Sequence, residues 1–166
     1  METRTPRASI SLYAGRQLEF VPVEDSWFEL RADDGTLVAR LRPVTPDLEG
    51  RAEAADGRWW LLNPRGSDVD AGRDGSGTPI ARYRPSLIGG RIRIADNGRY
   101  SVRPPMLGDS VRLRRGRRLV AAITRIHDVK LGAAAPDALP ILIALQALLL
   151  EQLLPNAGGG GGGGAF

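Results

Sequence analysis

The sequence predicts a mainly β fold, a closed antiparallel barrel of about twelve strands around a buried C-terminal hydrophobic helix. Three observations predict it. Short runs of alternating apolar and polar residues recur roughly every 8–12 residues, with turn residues between them. Residues 138–150 contain one polar side chain, Gln146, so a helix there is apolar on every side and must be surrounded. Each strand offers one apolar face, and a barrel closed on the helix buries both while leaving no sheet edge exposed.

The elements follow in order. Residues 1–7 read as a flexible leader. Residues 8–14 put Ile10 and Leu12 on one face, a strand pattern, and residues 20–23 are a short apolar piece broken by Pro22. Residues 27–31 turn Phe28 and Leu30 inward. Asp34-Gly35 then joins them to residues 36–42, with Leu37, Ala39 and Leu41 inward and Arg40 and Arg42 outward, a hairpin. Asp56-Gly57 joins a second pair, residues 50–55 and 58–63. In the latter, Trp59-Trp60-Leu61-Leu62 is apolar on both faces, as in a central strand or one covered by a loop. Residues 64–77, rich in Gly, Asp and Ser, read as a loop with room for one short strand near Asp68.

Alternation resumes at residues 78–84 (Ala81 and Tyr83 on one face, Arg82 and Arg84 on the other) and at 90–95 (Ile92 and Ile94 in, Arg91 and Arg93 out). Asp96-Asn97-Gly98 is the strongest turn signal in the chain, and Tyr100 and Val102 point inward after it. Residues 110–114 and 118–125 form a hairpin about Arg115-Gly116, and 127–131 are the last strand. A small-residue linker leads to the helix near 137–154. Asp137 suits an N-cap and Pro140 falls in the first turn, where its missing N–H costs no helix bond. The seven consecutive glycines within 155–166 predict a disordered tail.

At 166 residues the chain is expected to be one domain, residues 8–154. It has no cysteine, which excludes disulfides, thiol nucleophiles and thiolate metal sites. The charged start has no apolar signal region, which points to the cytoplasm. The apolar helix is about 13 residues, nearer a buried core helix than the roughly 20 that span a bilayer. A tail-anchored protein using residues 138–154 is the alternative.

Catalytic and metal chemistry finds little support. His127 is the single histidine and reads as a strand-end polar residue. Asp33-Asp34 and Asp68-Val69-Asp70 lack calcium-loop spacing and suit turns. Residues 72–77 are glycine-rich but lack the Lys-Ser/Thr and helix of a phosphate loop, and Ser67, Ser76, Ser86 and Ser110 have no nucleophile-elbow context. No catalytic residue, metal or cofactor is expected. An enzyme with an unrecognised site in the 64–77 loop is a second alternative.

The constellation that stands out is basic. Between Ile80 and Arg118, eleven Arg face two Asp, a local net charge of +9 in a chain of +4, so the remainder carries about −5. Arg82, Arg84, Arg91, Arg93, Arg99, Arg103, Arg112 and Arg114 take the outward register of neighbouring strands, and Arg115, Arg117 and Arg118 crowd one hairpin tip. Guanidinium groups bind phosphate bidentately, so these eleven residues are the candidate anion or lipid site. A solvated basic face is the plain alternative. Nucleic acid fits less well, because stacking needs exposed aromatics and Tyr83 and Tyr100 point inward.

The strand–turn–strand units at residues 27–41 and 91–102, followed by the apolar helix at 139–150, resemble the tubby-like fold. That fold is shared by tubby C-terminal domains, phospholipid scramblases and LURP-one-related proteins, and the chain is similar to the small bacterial LURP-one-like members. The resemblance covers residues 8–154 and implies a non-enzymatic binding or scaffold module. It also implies contact with anionic membrane lipids through a basic barrel surface, or with a protein partner, in a cytoplasmic protein peripheral at the membrane. With no cysteine for palmitoylation and no Asp-rich loop beside the helix, scramblase activity is not implied.

Overall fold

The computed structural model describes residues 9–153 apart from 46–48, 74–78, 87–88, 96–97, 104–109, 126 and 134–136. The expected leader, the glycine tail and the Asp96-Asn97 turn lie wholly or largely outside these residues. Twelve strands form one closed barrel. They are β1 (Gln17–Pro22), β2 (Phe28–Ala32), β3 (Leu37–Arg42), β4 (Gly50–Ala54), β5 (Trp59–Arg65), β6 (Asp68–Gly72), β7 (Ala81–Ser86), β8 (Gly89–Ile94), β9 (Gly98–Arg103), β10 (Ser110–Arg115), β11 (Arg118–Thr124) and β12 (Asp128–Leu131). Each pairs antiparallel with its sequence neighbour, and β1 closes the ring on β12, with Leu18 opposite Val129.

The alternation in sequence becomes the two faces of the wall. Leu18, Phe20, Leu30, Leu41, Leu62, Ile92, Leu113 and Ile123 are buried inside. Through the middle runs α1 (Ala138–Leu153). Ala138, Ile141, Leu142, Ile143, Ala144 and Leu145 are all buried, and consecutive residues cannot all be buried unless protein surrounds the helix. It lies closest to β3, β4 and β8. Ala39, Ala52 and Ala54 on β3 and β4 leave it room, and the Val44 N–H donates to Oε1 of Gln146 at 2.8 Å. Among the described residues no helix is long and apolar enough to cross a membrane. The structure therefore favours the buried helix over the tail anchor.

Two local expectations change, while the short strand expected near Asp68 is found as β6 and the Trp59–Leu62 run lies in a strand paired on both sides. Residues 10–13 form a 3-10 turn and not a strand. Ile10 and Tyr13, three apart, are buried while Leu12 is 70% exposed, the spacing of a helical turn. The first strand begins at Gln17 instead. Most of the expected 64–77 loop is a hairpin: β5 continues to Arg65, Gly66 turns with φ +62°, and β6 returns along it, Arg65 opposite Asp68. The doubly apolar Trp59–Leu62 run buries Trp60 and Leu62 inside, while outside the Arg51 guanidinium lies 4.4 Å over the Trp59 ring.

Candidate anion-binding site

The outward residues of β7 to β10 fall into rows across the strands. Arg82, Arg93 and Arg99 form one row. Arg84, Arg91, Ser101 and Arg114 form the next. Arg103 and Arg112 stand opposite each other in a third. Directly opposed like charges are unfavourable by about 0.2–1 kcal/mol per pair. Here Arg82/Arg93, Arg84/Arg91, Arg93/Arg99 and Arg103/Arg112 are all such pairs.

The first strand of the lattice is neutralised. Asp70 accepts from Arg82 Nε at 2.6 Å and also meets Arg65 at 3.4 Å, while Asp68 meets Arg84 at 3.3 Å. The bond to Asp70, and its negative charge, hold the Arg82 guanidinium above its usual pKa. The remaining rows have no such partner: no ion pair among the described residues includes Arg91, Arg93, Arg99, Arg103, Arg112 or Arg114. At the β10–β11 hairpin Arg115 faces Arg118, and its guanidinium lies 5.9 Å from the centre of the Tyr100 ring. Tyr100 is buried, and that burial raises its hydroxyl pKa against the opposing pull of Arg115. Arg117 is exposed in the turn.

The opposite side of the barrel handles its arginines differently. Glu53 bridges Arg40 and Arg51 at 2.6 Å each, and Glu29 holds Arg31 at 2.6 Å. Arg42 faces Arg51 there, but Arg51 has Glu53, and both Arg40 and Arg42 lie over the Trp27 ring at 4.1 and 5.5 Å. Burial alone would raise the Glu53 carboxyl, but the hydrogen bonds from Arg40 and Arg51 outweigh it and keep the pKa low. Arginine abundance alone therefore does not explain an unneutralised face.

Beside the free rows is a groove of about 580 Å³. Pro79, Ile80 and Ala95 supply its apolar lining, and Arg82, Arg84, Arg91, Arg93 and Arg99 its charge. The arrangement can hold a phosphate or carboxylate by multiple guanidinium contacts with apolar surface alongside. Tyr83 and Tyr100 are both buried, so neither offers a base-stacking face on this wall. In the expected 64–77 site the two described carboxylates, Asp68 and Asp70, are held by arginines, and residues 74–77 lie outside the described residues. His127 is exposed just before β12, where its carbonyl accepts from the Phe20 N–H at 2.7 Å.

The barrel closed on its helix is similar to a solved protein. That protein is AT5G01750 of Arabidopsis thaliana, known from an X-ray structure. The likeness covers 86% of this chain and 98% of that one, with a TM-score of 0.58 and 15% sequence identity, so it concerns the fold. No family model and no curated protein matches the chain.

Proposed function

We propose that this protein is a non-enzymatic binding or scaffold module of the LURP-one-like kind. In this reading the β7–β10 wall engages anionic lipid headgroups or other phosphate groups, at the periphery of a membrane facing the cytoplasm. The observation that carries the proposal is the contrast between the two sides of the barrel. Arg40 and Arg51 share a glutamate, whereas Arg93/Arg99 and Arg103/Arg112 face each other without a described carboxylate. A fold that tolerates opposed charges gains stability when an external anion joins them. The tubby-like architecture, to which the Arabidopsis likeness is consistent support, agrees with a binding role. So does the pairing of Asp68 and Asp70, which ties up the two described carboxylates of residues 64–77.

Vesicle co-sedimentation tests it. Each arginine near an anionic surface contributes about 1 kcal/mol, screened by salt. Full-length protein is expected to sediment with anionic vesicles, and not neutral ones, at low salt. Binding should disappear at high salt and when Arg91, Arg93, Arg112 and Arg114 are replaced by Glu. Equal, salt-resistant binding to both vesicle types would contradict the electrostatic reading and point back to residues 138–154 as an anchor. No binding to either would remove the lipid partner and leave a protein partner as the reading to pursue.

A further inference from the structure

We infer that the wall contains a defined phosphate subsite centred on Ser101, and that it takes a phosphomonoester dianion. This rests on the reading of the wall as an anion-binding face. Ser101 lies mid-strand in β9. Its register partners are Arg91 on β8 and Arg114 on β10. Arg99 and Arg103 flank it on its own strand, two residues to either side and on the same face, because Tyr100 and Val102 between them are buried inward. Adjacent strands lie about 4.8 Å apart and same-face residues of one strand roughly 6.7 Å apart. A guanidinium side chain reaches across either distance. An anion seated on the Ser101 hydroxyl is therefore within reach of four arginines, none of them in an ion pair with a described residue.

The barrel contains its own counterpart of this geometry. Glu53 on β4 stands opposite Arg40 on β3, with Arg51 two residues away on its own strand. There the chain supplies the anion, and Glu53 bridges both guanidiniums. At the equivalent place on β9 it supplies a short hydroxyl, a donor that leaves space for three acceptor oxygens. A phosphate monoester fills that space, carrying close to two negative charges above its second pKa of about 6. Arg82 and Arg84 stay outside the subsite because Asp70 and Asp68 hold them. Two of its arginines, Arg91 and Arg99, also line the adjoining groove. A phosphorylated soluble molecule and a phosphomonoester lipid headgroup share this chemistry.

The test titrates full-length protein, at constant ionic strength and pH 7.5, with ribose 5-phosphate and with vesicles containing phosphatidic acid. Ser101→Thr and Ser101→Val have nearly the same shape, but only Thr keeps the hydroxyl, and both suit a strand. Ser101→Val is expected to lose about tenfold in affinity, the effect of one hydrogen bond to a charged group, while Ser101→Thr stays near wild type. Arg91→Gln and Arg114→Gln are expected to lose at least as much, and Arg117→Gln, at the hairpin tip, less than about twofold. Affinity should fall as the pH drops from 7.5 to 5.5. Binding with the expected Val/Thr difference supports the site, and the probe that binds tells which source supplies the ligand. If the Val and Thr variants bind alike while Arg91, Arg93, Arg112 and Arg114 changed together to Glu abolish binding, the wall binds anions elsewhere and the Ser101 subsite is wrong. If neither probe binds the folded wild type, the subsite and the anion-binding reading fail together.

Discussion

At the scale of single residues, what matters is whether an outward arginine has a partner. The outward register of Arg82 to Arg114 could be read from simple alternation. The partners of Arg82 and Arg84 could not, because the short strand expected near Asp68 had no bounds or register to set it against residues 81–86. A usable signal was present: Asp68 and Asp70 are two apart, as are Arg82 and Arg84, and an antiparallel pairing brings the two spacings together. Ser101 escaped notice because a lone serine between arginines has no meaning until its cross-strand neighbours are known. Glu53 makes a testable contrast. Its folded pKa lies below the ordinary value, so its stabilisation is present above the unfolded pKa, about 4.3, and is lost as pH falls through the folded one. Glu53→Gln is expected to lower stability by about 1–2 kcal/mol at pH 7 and to approach wild type at a pH acidic enough to protonate the folded carboxyl. Urea unfolding at the two pH values measures this. An equal deficit at both would show that packing, and not the charge, is responsible.

At the scale of elements, the strands with Asp-Gly turns and clean alternation were legible, as was the helix. Strand ends with compromised sequences were not. Pro64 lies within β5 opposite Val69, a residue type that argues against a strand from sequence alone, yet it sits near the strand end and is exposed. The segment at Ile10 failed for another reason, since four residues are too few to separate a period of two from a period of three. Gln146 hydrogen-bonds the helix to the segment that follows β3. Its Oε1 accepts from Val44, and its buried Nε2 has no hydrogen-bond partner among the described residues. Gln146→Leu removes the satisfied acceptor and the orphan donor together, each worth about 1–3 kcal/mol, so the two nearly cancel. Gln146→Glu keeps the acceptor but places a carboxyl at a fully buried position. Burial raises its folded pKa, so the variant should match wild type near pH 4 and lose several kcal/mol as pH rises toward 7. A Glu variant equally stable at both pH values would mean that water reaches position 146.

At the scale of the whole molecule, charge is distributed by strand. The seam between β1 and β12 places Glu19 opposite Asp128, while β8 to β10 present unneutralised arginines. The barrel has a basic side, and an anionic surface would orient it. The barrel could be expected from the sequence because a helix apolar all round and a set of one-faced strands solve each other's burial problem. Which of the outward arginines would be left without a carboxylate could not, because that depends on cross-strand register.

The central claim is that the arginine lattice is kept for an anion at some expense in stability. Arg93 tests it most directly, because it stands between Arg82 and Arg99. Replacing it with Glu turns two like-charged pairs into two opposite ones, a gain of about 1 kcal/mol. The measurement is thermal unfolding of wild type and Arg93→Glu, with and without pyrophosphate at fixed ionic strength. The variant is expected to melt above wild type without anion, and pyrophosphate to raise the wild-type midpoint much more than the variant's. A variant that melts below wild type, with neither protein shifted by pyrophosphate, would contradict it and make the lattice a solvated surface.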